Sequence, residues 1–216
     1  MPRIPRVVIP NMPHHVTQRG ARKQQTFFGE SDYRMYVDLL ARAKEKSKVE
    51  IWAYCLMPNH VHLVVVPDQT NSLARLLRET HGEYARRINQ REGWQGHLWQ
   101  ERYHSFVMDE NHLLATVRYV ERNPVRAGLC SSPDQWPWSS VHAYLSGSDD
   151  DIVSVRPMQE RIVDWMKYLS VDNSGDQLDA IRSHTNSGRP IGSPAFMQHI
   201  EKLSGRKFGT SRRARK

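Results

Sequence analysis

In the stretch MPNHVHLVV, residues 57–65, two histidines stand two positions apart. A strand points alternate side chains to one face, so His60 and His62 project side by side and could converge on one ion. Histidine ligands usually need a third partner, and that partner has to come from elsewhere in the chain. On its own the pair also reads as two solvent-facing histidines on an ordinary hairpin. The segment RYVERNPVRAGL, residues 118–129, offers candidates. Tyr119 and Asn123 are four apart, hence on one helical face, beside the apolar stripe of Leu113, Val117 and Val120 rather than on it. Taken singly, the tyrosine reads as a packing residue and the Asn-Pro pair as a helix stop.

Composition narrows the partners. The chain has 216 residues, 38% of them hydrophobic, enough for one core with or without an appendage. Its net charge is +8, with the excess at the ends. Arg3, Arg6, Arg19, Arg22 and Lys23 precede the first acid, and Arg206, Lys207, Arg212, Arg213, Arg215 and Lys216 close the chain without one. Segments of one sign attract a polyanion, which points to nucleic acid. No run of about 18 apolar residues is present and the first residues lack a signal-like apolar stretch, so no membrane association is expected. Two cysteines, Cys55 and Cys130, give neither a disulfide framework nor a zinc spacing. A reduced, cytoplasmic protein is the expectation.

Elements that could position these residues follow from periodicity. Residues 13–19 predict a strand, and a helix runs from a cap at Ser31 or Asp32 to about Lys48, burying Tyr33, Tyr36, Val37, Leu40 and Ala43. VEIWAYCLM and HVHLVVV form a hairpin about the Pro58-Asn59 turn. A second helix starts at Asn71 or Ser72 and ends before Gly93, a strand covers RYHSFVM, and Asp109 caps a helix from Glu110 to about Arg122, stopped at Asn123-Pro124. Strands separated by helices and hairpins imply α+β, an antiparallel sheet with packed helices. A boundary near residue 150 divides 1–150 from a smaller helical extension, 151–216, with short helices at 176–184 and at SPAFMQHIEKLSG. Joined by SGRPIG, these read either as a helix-turn-helix-like pair or as a brace on the main part.

The phrases HVTQRG, MPNHVHLVV, LWQERYHSFV and RYVERNPVRAGL occur in an order and spacing that resemble the REP-associated tyrosine transposases, within the single-tyrosine "HUH" nucleases. The resemblance covers about residues 2–145, and SGRPIGS around Arg189 resembles the family's C-terminal region. It implies a ferredoxin-like palm, His60 and His62 as metal ligands, Tyr119 as nucleophile and Asn123 as a further ligand, with Mg²⁺ or Mn²⁺ as cofactor. It further implies single-strand cleavage and rejoining at repetitive extragenic palindrome hairpins through a 5′-phosphotyrosine, by a nucleoid-associated monomer or weak dimer. The alternative within the same resemblance is a non-catalytic hairpin-binding regulator. For the grip on single-stranded DNA, Arg19, Arg22 and Lys23 leave the first strand together, and Trp99 and Arg102, beside Tyr103, interleave rings with charge; Arg189 joins them by resemblance. His14, His15, His97, His104 and His112 form no second pair of matched spacing and are not assigned as ligands.

Overall fold

A strand made largely of polar residues, β1 (His14–Arg19), lies inside the sheet, where its backbone is paired on both edges. It is followed by α1 (Glu30–Ser47), the hairpin β2 (Val49–Met57) and β3 (His60–Pro67), α2 (Ser72–Glu92) and β4 (His104–Val107) in a computed structural model that describes residues 6–208. All pairings are antiparallel and the order is β2-β3-β1-β4, the ferredoxin-like α+β arrangement expected from the sequence. The order follows from chain geometry: β1 and β2 run parallel and need a helical crossover, while the tight turn at Pro58 and Asn59 folds β3 back into the gap between them.

The sheet separates two layers. Val16 and Gln18 face α2, where Gln18 shares a groove wall with Leu77, His81 and Ala85. On the opposite face His15 touches Phe106, His62 and Tyr119, and Phe106 in turn meets His184. That face is covered by α3 (Glu110–Glu121) and α8 (Gly175–Ser187). Tyr33, Tyr36, Leu40 and Ala43 are buried on α1 as the periodicity required, and Val37 is half-buried. Asp32 is not the cap: α1 begins at Glu30, and the buried Asp32 carboxylate accepts from Phe28 N–H at 2.8 Å and pairs with Arg91, tying α1 to α2.

Asp109 does cap α3, accepting from His112 N–H at 3.1 Å. The expected stop at Asn123-Pro124 is instead a joint. Helix α3 ends at Glu121, and a further turn, α4 (Asn123–Arg126), starts at once with Pro124 in its first turn, where its missing N–H costs nothing. The segment read as irregular also holds α5 (Val141–Ser146), and α6 (Arg156–Gln159) and α7 (Trp165–Ser170) precede α8. Helices of four to six residues carry no readable period. The anticipated last helix is α9 (Pro194–Ser204), with Ser193 accepting from Phe196 N–H.

Beyond residue 150 the chain joins the main core through Ile152, Val153, Met158, Trp165, Leu169, Ile181 and Ile191. The link between α8 and α9 hydrogen-bonds along β4: Ile191 N–H donates to Val107 O at 2.9 Å, and Asp109 N–H to Ile191 O at 3.1 Å. Of the two readings of α8 and α9, this is the brace. The basic tail beyond Phe208 and the N-terminal Arg3 lie outside the described residues. No helix among the described residues is long and apolar enough to cross a membrane.

Helix α3 is fixed to this brace by a buried carboxylate. Glu121 is fully buried and accepts from Ser140 O–H and from Trp165 Nε1–H, the latter at 2.7 Å. Burial pushes its carboxyl up to about 8, although both hydrogen bonds pull the other way. Between its ordinary value of 4.5 and about 8, the folded state keeps a proton that the unfolded chain releases. Stability conferred at low pH is therefore lost as pH rises through that window. Urea unfolding at pH 5 and pH 8 should show the wild type losing stability on the order of a few kcal/mol relative to Glu121→Gln, which keeps the volume without the charge. A wild-type-to-variant difference that is constant across the window would clear Glu121 of this role.

Candidate active site

The register of β1 against β3 builds the site. Arg19 lies opposite His60, Thr17 opposite His62 and His15 opposite Val64, so all six share one face. His60 and His62 are edge to face with ring centroids 4.9 Å apart. From α3 the Tyr119 ring comes edge-on to His62 at 5.6 Å and to His15 at 6.2 Å. Asn123, the first residue of α4, opens with these three into one cleft of about 570 Å³. The structure thus brings together His60, His62, Tyr119 and Asn123, and adds Arg19 and Lys23 to the rim.

Orientation is supplied by neighbours. His60 Nδ1 lies 2.6 Å from Asn59 Oδ1, and Asn59 Nδ2–H donates to Lys23 O at 3.0 Å, which fixes the amide's direction. His60 therefore donates from Nδ1 and keeps the Nε2 lone pair free. The loop holding Lys23 is closed onto the hairpin by Gly20 N–H to Asn59 O at 2.9 Å. Only glycine fits there, because a Cβ would stand 2.3 Å from Gln24 O. Burial, aided by Arg19, lowers the His60 imidazole to about 4, and burial with His60 and His15 close by holds His62 well below its ordinary value. Both rings are thus neutral, the form that can ligate a metal.

Asn123 has a buried amide nitrogen without an acceptor. That nitrogen is an N–H donor, so what it lacks is an acceptor such as a phosphate oxygen, and Asn123 is one of the residues lining the cleft with the histidines. Among the described residues, no third His, Cys, Asp or Glu completes a metal-sized group. The cleft lining contains no carboxylate and is rimmed by Arg19, Lys23 and Arg182, so its field favours a phosphate.

Several contributors were not read from the sequence. Arg126 lies with its guanidinium 4.2 Å from the centre of the Tyr119 ring and donates to Tyr119 O at 2.6 Å. His15 is fully buried, lowered by burial to about 3, and its Nε2 is 2.9 Å from His62 Nδ1. Arg182, Thr185 and Asn186 of α8 form the far wall. The alternation of His15, Thr17 and Arg19 was a visible signal for His15; the helix at 176–184 was legible as a helix, but nothing local announces that it walls this cleft. His14, on the other face, is structural, accepting from Ile9 N–H at 3.1 Å and donating to Met12 O at 2.8 Å.

The remaining sequence assignments spread outward. Arg22 lines a separate depression with Trp94. Arg102 and Arg189 line an adjoining groove of about 360 Å³ with Arg6 and Tyr103, whose ring carries the Arg6 guanidinium at 3.6 Å. Trp99 is no open stacking platform: it is 8% exposed, stacked on His81, and its indole N–H donates to His81 O at 3.1 Å. An aromatic next to charge gives no local sign of which way it turns, and here the core claims it.

A ferredoxin-like palm carrying a histidine pair on a central strand and a tyrosine on the covering helix defines a class. The family model described as "Transposase IS200 like" matches residues 9–123, more than half the chain, and the chain belongs to that family. It is 23% identical over 113 residues to the REP-associated tyrosine transposase of Escherichia coli, covering 52% of this chain and 66% of that protein. A Haemophilus influenzae protein of the same family description is 25% identical over 104 residues, covering 43% and 59%. The match therefore spans about three-fifths to two-thirds of the length of these curated relatives. A solved REP-associated tyrosine transposase bound to a REP hairpin shares the fold, with a TM-score of 0.58 and 21% identity over 71% of this chain and 92% of that one.

Because Arg126 satisfies both the face and the carbonyl of Tyr119, its removal should be felt locally. Arg126→Leu should cost about 2–5 kcal/mol in urea unfolding, the sum of one stacked cation and one charge-assisted hydrogen bond. A change under about 0.5 kcal/mol, the level of an ordinary surface substitution, would mean that the contact carries no weight.

Proposed function

We propose that the chain cuts and rejoins single-stranded DNA at REP-type hairpins, with Tyr119 as nucleophile. The observation that carries this reading is the opening of Tyr119, Asn123, His60 and His62 into one carboxylate-free cleft. The hairpin as partner is supported by the family relationship and by the REP hairpin held by the structural relative. Arg19, Lys23 and Arg182 bind the backbone phosphates at the rim, and Arg102 and Arg189 continue that cationic path into the adjoining groove.

The donor set suits Mg²⁺ or Mn²⁺. His60 and His62 offer neutral imidazoles and Asn123 would add its amide oxygen, with no thiolate and with positions left over for water and substrate. When bound, such an ion neutralises a nonbridging phosphate oxygen and orients the phosphorus. The chain's own residues do the rest. The Tyr119 oxygen attacks phosphorus as its proton is lost; a tyrosyl ester forms with the 5′-phosphate, the bond to the 3′-oxygen breaks, and that oxygen leaves as a hydroxyl. Arg126, stacked on the ring, favours the negative charge that develops on the phenol oxygen. A 3′-hydroxyl returning to the same phosphorus reverses the step without ATP, since the ester conserves the phosphodiester energy.

The test is incubation with end-labelled hairpins bearing single-stranded flanks, in Mn²⁺, followed by denaturing gels. Tyr119→Phe keeps the ring under Arg126 and should lose cleavage and covalent adduct by at least about a thousandfold, while Tyr103→Phe and Tyr84→Phe keep both. His60→Ala and His62→Ala should lose cleavage and keep hairpin binding. An adduct in Tyr119→Phe would move the nucleophile to another tyrosine, and cleavage without adduct would make this a hydrolytic nuclease. Wild-type protein that binds hairpins but never cuts them would be the non-catalytic regulator.

A further inference from the structure

We infer that His15 and Thr185 set the position of the proton on His62, and through it the ring nitrogen that His62 offers to the cleft. The inference rests on the reading of His60 and His62 as metal-holding residues, and it extends the site to a helix that the family match does not reach.

The hydrogen bonds leading away from His62 run in one consistent direction. Thr185 Oγ1 donates to Ile181 O at 2.8 Å, so its hydroxyl proton is already engaged. Toward His15 Nδ1, at 3.4 Å, the same oxygen can then only accept, which puts the His15 proton on Nδ1. Both rings are buried with no carboxylate lining the cleft beside them, so each carries a single proton. The His15 Nε2 lone pair therefore faces His62 Nδ1 at 2.9 Å, and His62 must donate across that gap. Its own Nε2 is left unprotonated. With the opposite direction, His62 would carry its proton on Nε2 and have no lone pair to give there, while His15 Nδ1 would face the lone pairs of Thr185.

The two cleft histidines are thus prepared by different means to the same end. His60 hands its Nδ1 proton to Asn59, which is oriented by the loop backbone. His62 hands its proton to His15, which is oriented by α8. Partners of this kind fix tautomer and ring direction, and their loss typically weakens metal affinity about 10–100-fold. His15 and Thr185 are positioning residues: neither is assigned to the substrate or the ion.

Full-length, metal-free protein labelled with ¹⁵N-histidine tests the proton positions by long-range ¹H–¹⁵N correlation. The result expected is Nδ1–H on both His15 and His62; Nε2–H on either overturns the inference. Thr185→Val should move the His15 proton off Nδ1, and unchanged populations would remove Thr185 from the chain of contacts. Mn²⁺ titration by calorimetry then tests the consequence. His15→Phe should weaken binding about 10–100-fold, and His15→Gln, whose amide oxygen can still accept from His62, should recover most of it. Wild-type affinity in His15→Phe, or equal loss in the Phe and Gln variants, overturns the role and leaves His15 a packing residue. The expected tautomers in a wild type that takes up no Mn²⁺ would uphold the proton relay and overturn the metal assignment instead.

Discussion

The antiparallel register between β1 and β3 is the constraint on which the site depends. Side chains alternate with a period of two, so a slip of one residue would turn His60 and His62 away from α3 and toward α2. Register is held at both ends of the pairing. At one end Gly20 N–H meets Asn59 O; at the other Asn11 N–H meets Pro67 O, both short backbone bonds made from just beyond the ends of β1. The apolar residues on the far face, Val16, Val61, Leu63 and Val65, enforce it further, because a slip would take them out of the apolar core and turn them toward the polar cleft.

The second half of the site arrives on helices that are held from behind. Arg118 donates to Tyr168 O, Arg122 reaches Leu169 O and Asp172, Tyr168 O–H donates to Leu114 O, and Asn173 Nδ2–H donates to Ala115 O. With Glu121 bonded to Trp165, α3 and the residue after it are tied at several points to residues 165–173. The extension is therefore part of the apparatus that aims Tyr119, and through α8 it also supplies a wall of the cleft. Sheet and helix are positioned by separate stretches of chain that meet only in the folded molecule.

What the sequence disclosed follows the same division. The strands, α1, α2, α3 and α9 were legible because each carries a long apolar period or a distinct cap, and His60, His62, Tyr119 and Asn123 stood out through their types and spacing. Whatever depended on distant segments did not show. Asp32 looked like a cap until Arg91, 59 residues away, claimed it. Trp99 sat among charges that suggested a surface, yet His81 and the core take its ring. His15 shared a strand face with Thr17 and Arg19, but its partner on β3 lies 47 positions away. The short helices α5 to α7 are set by tertiary contacts rather than by their own propensity.

The clamping of α3 has a mechanical consequence for what can be a substrate. A helix bonded along its outer side to its own chain has little freedom to swing, so Tyr119 cannot travel far to meet a phosphate. Under the proposed function, compliance would have to come from the DNA. Duplex DNA resists bending over a persistence length of about 50 nm, far longer than this protein. An unpaired strand has no stacked partner to hold it straight and can be drawn between β3 and α8. In such a cleft the stiffness of the nucleic acid, rather than any chemical group it carries, would discriminate a hairpin's loose flank from its stem.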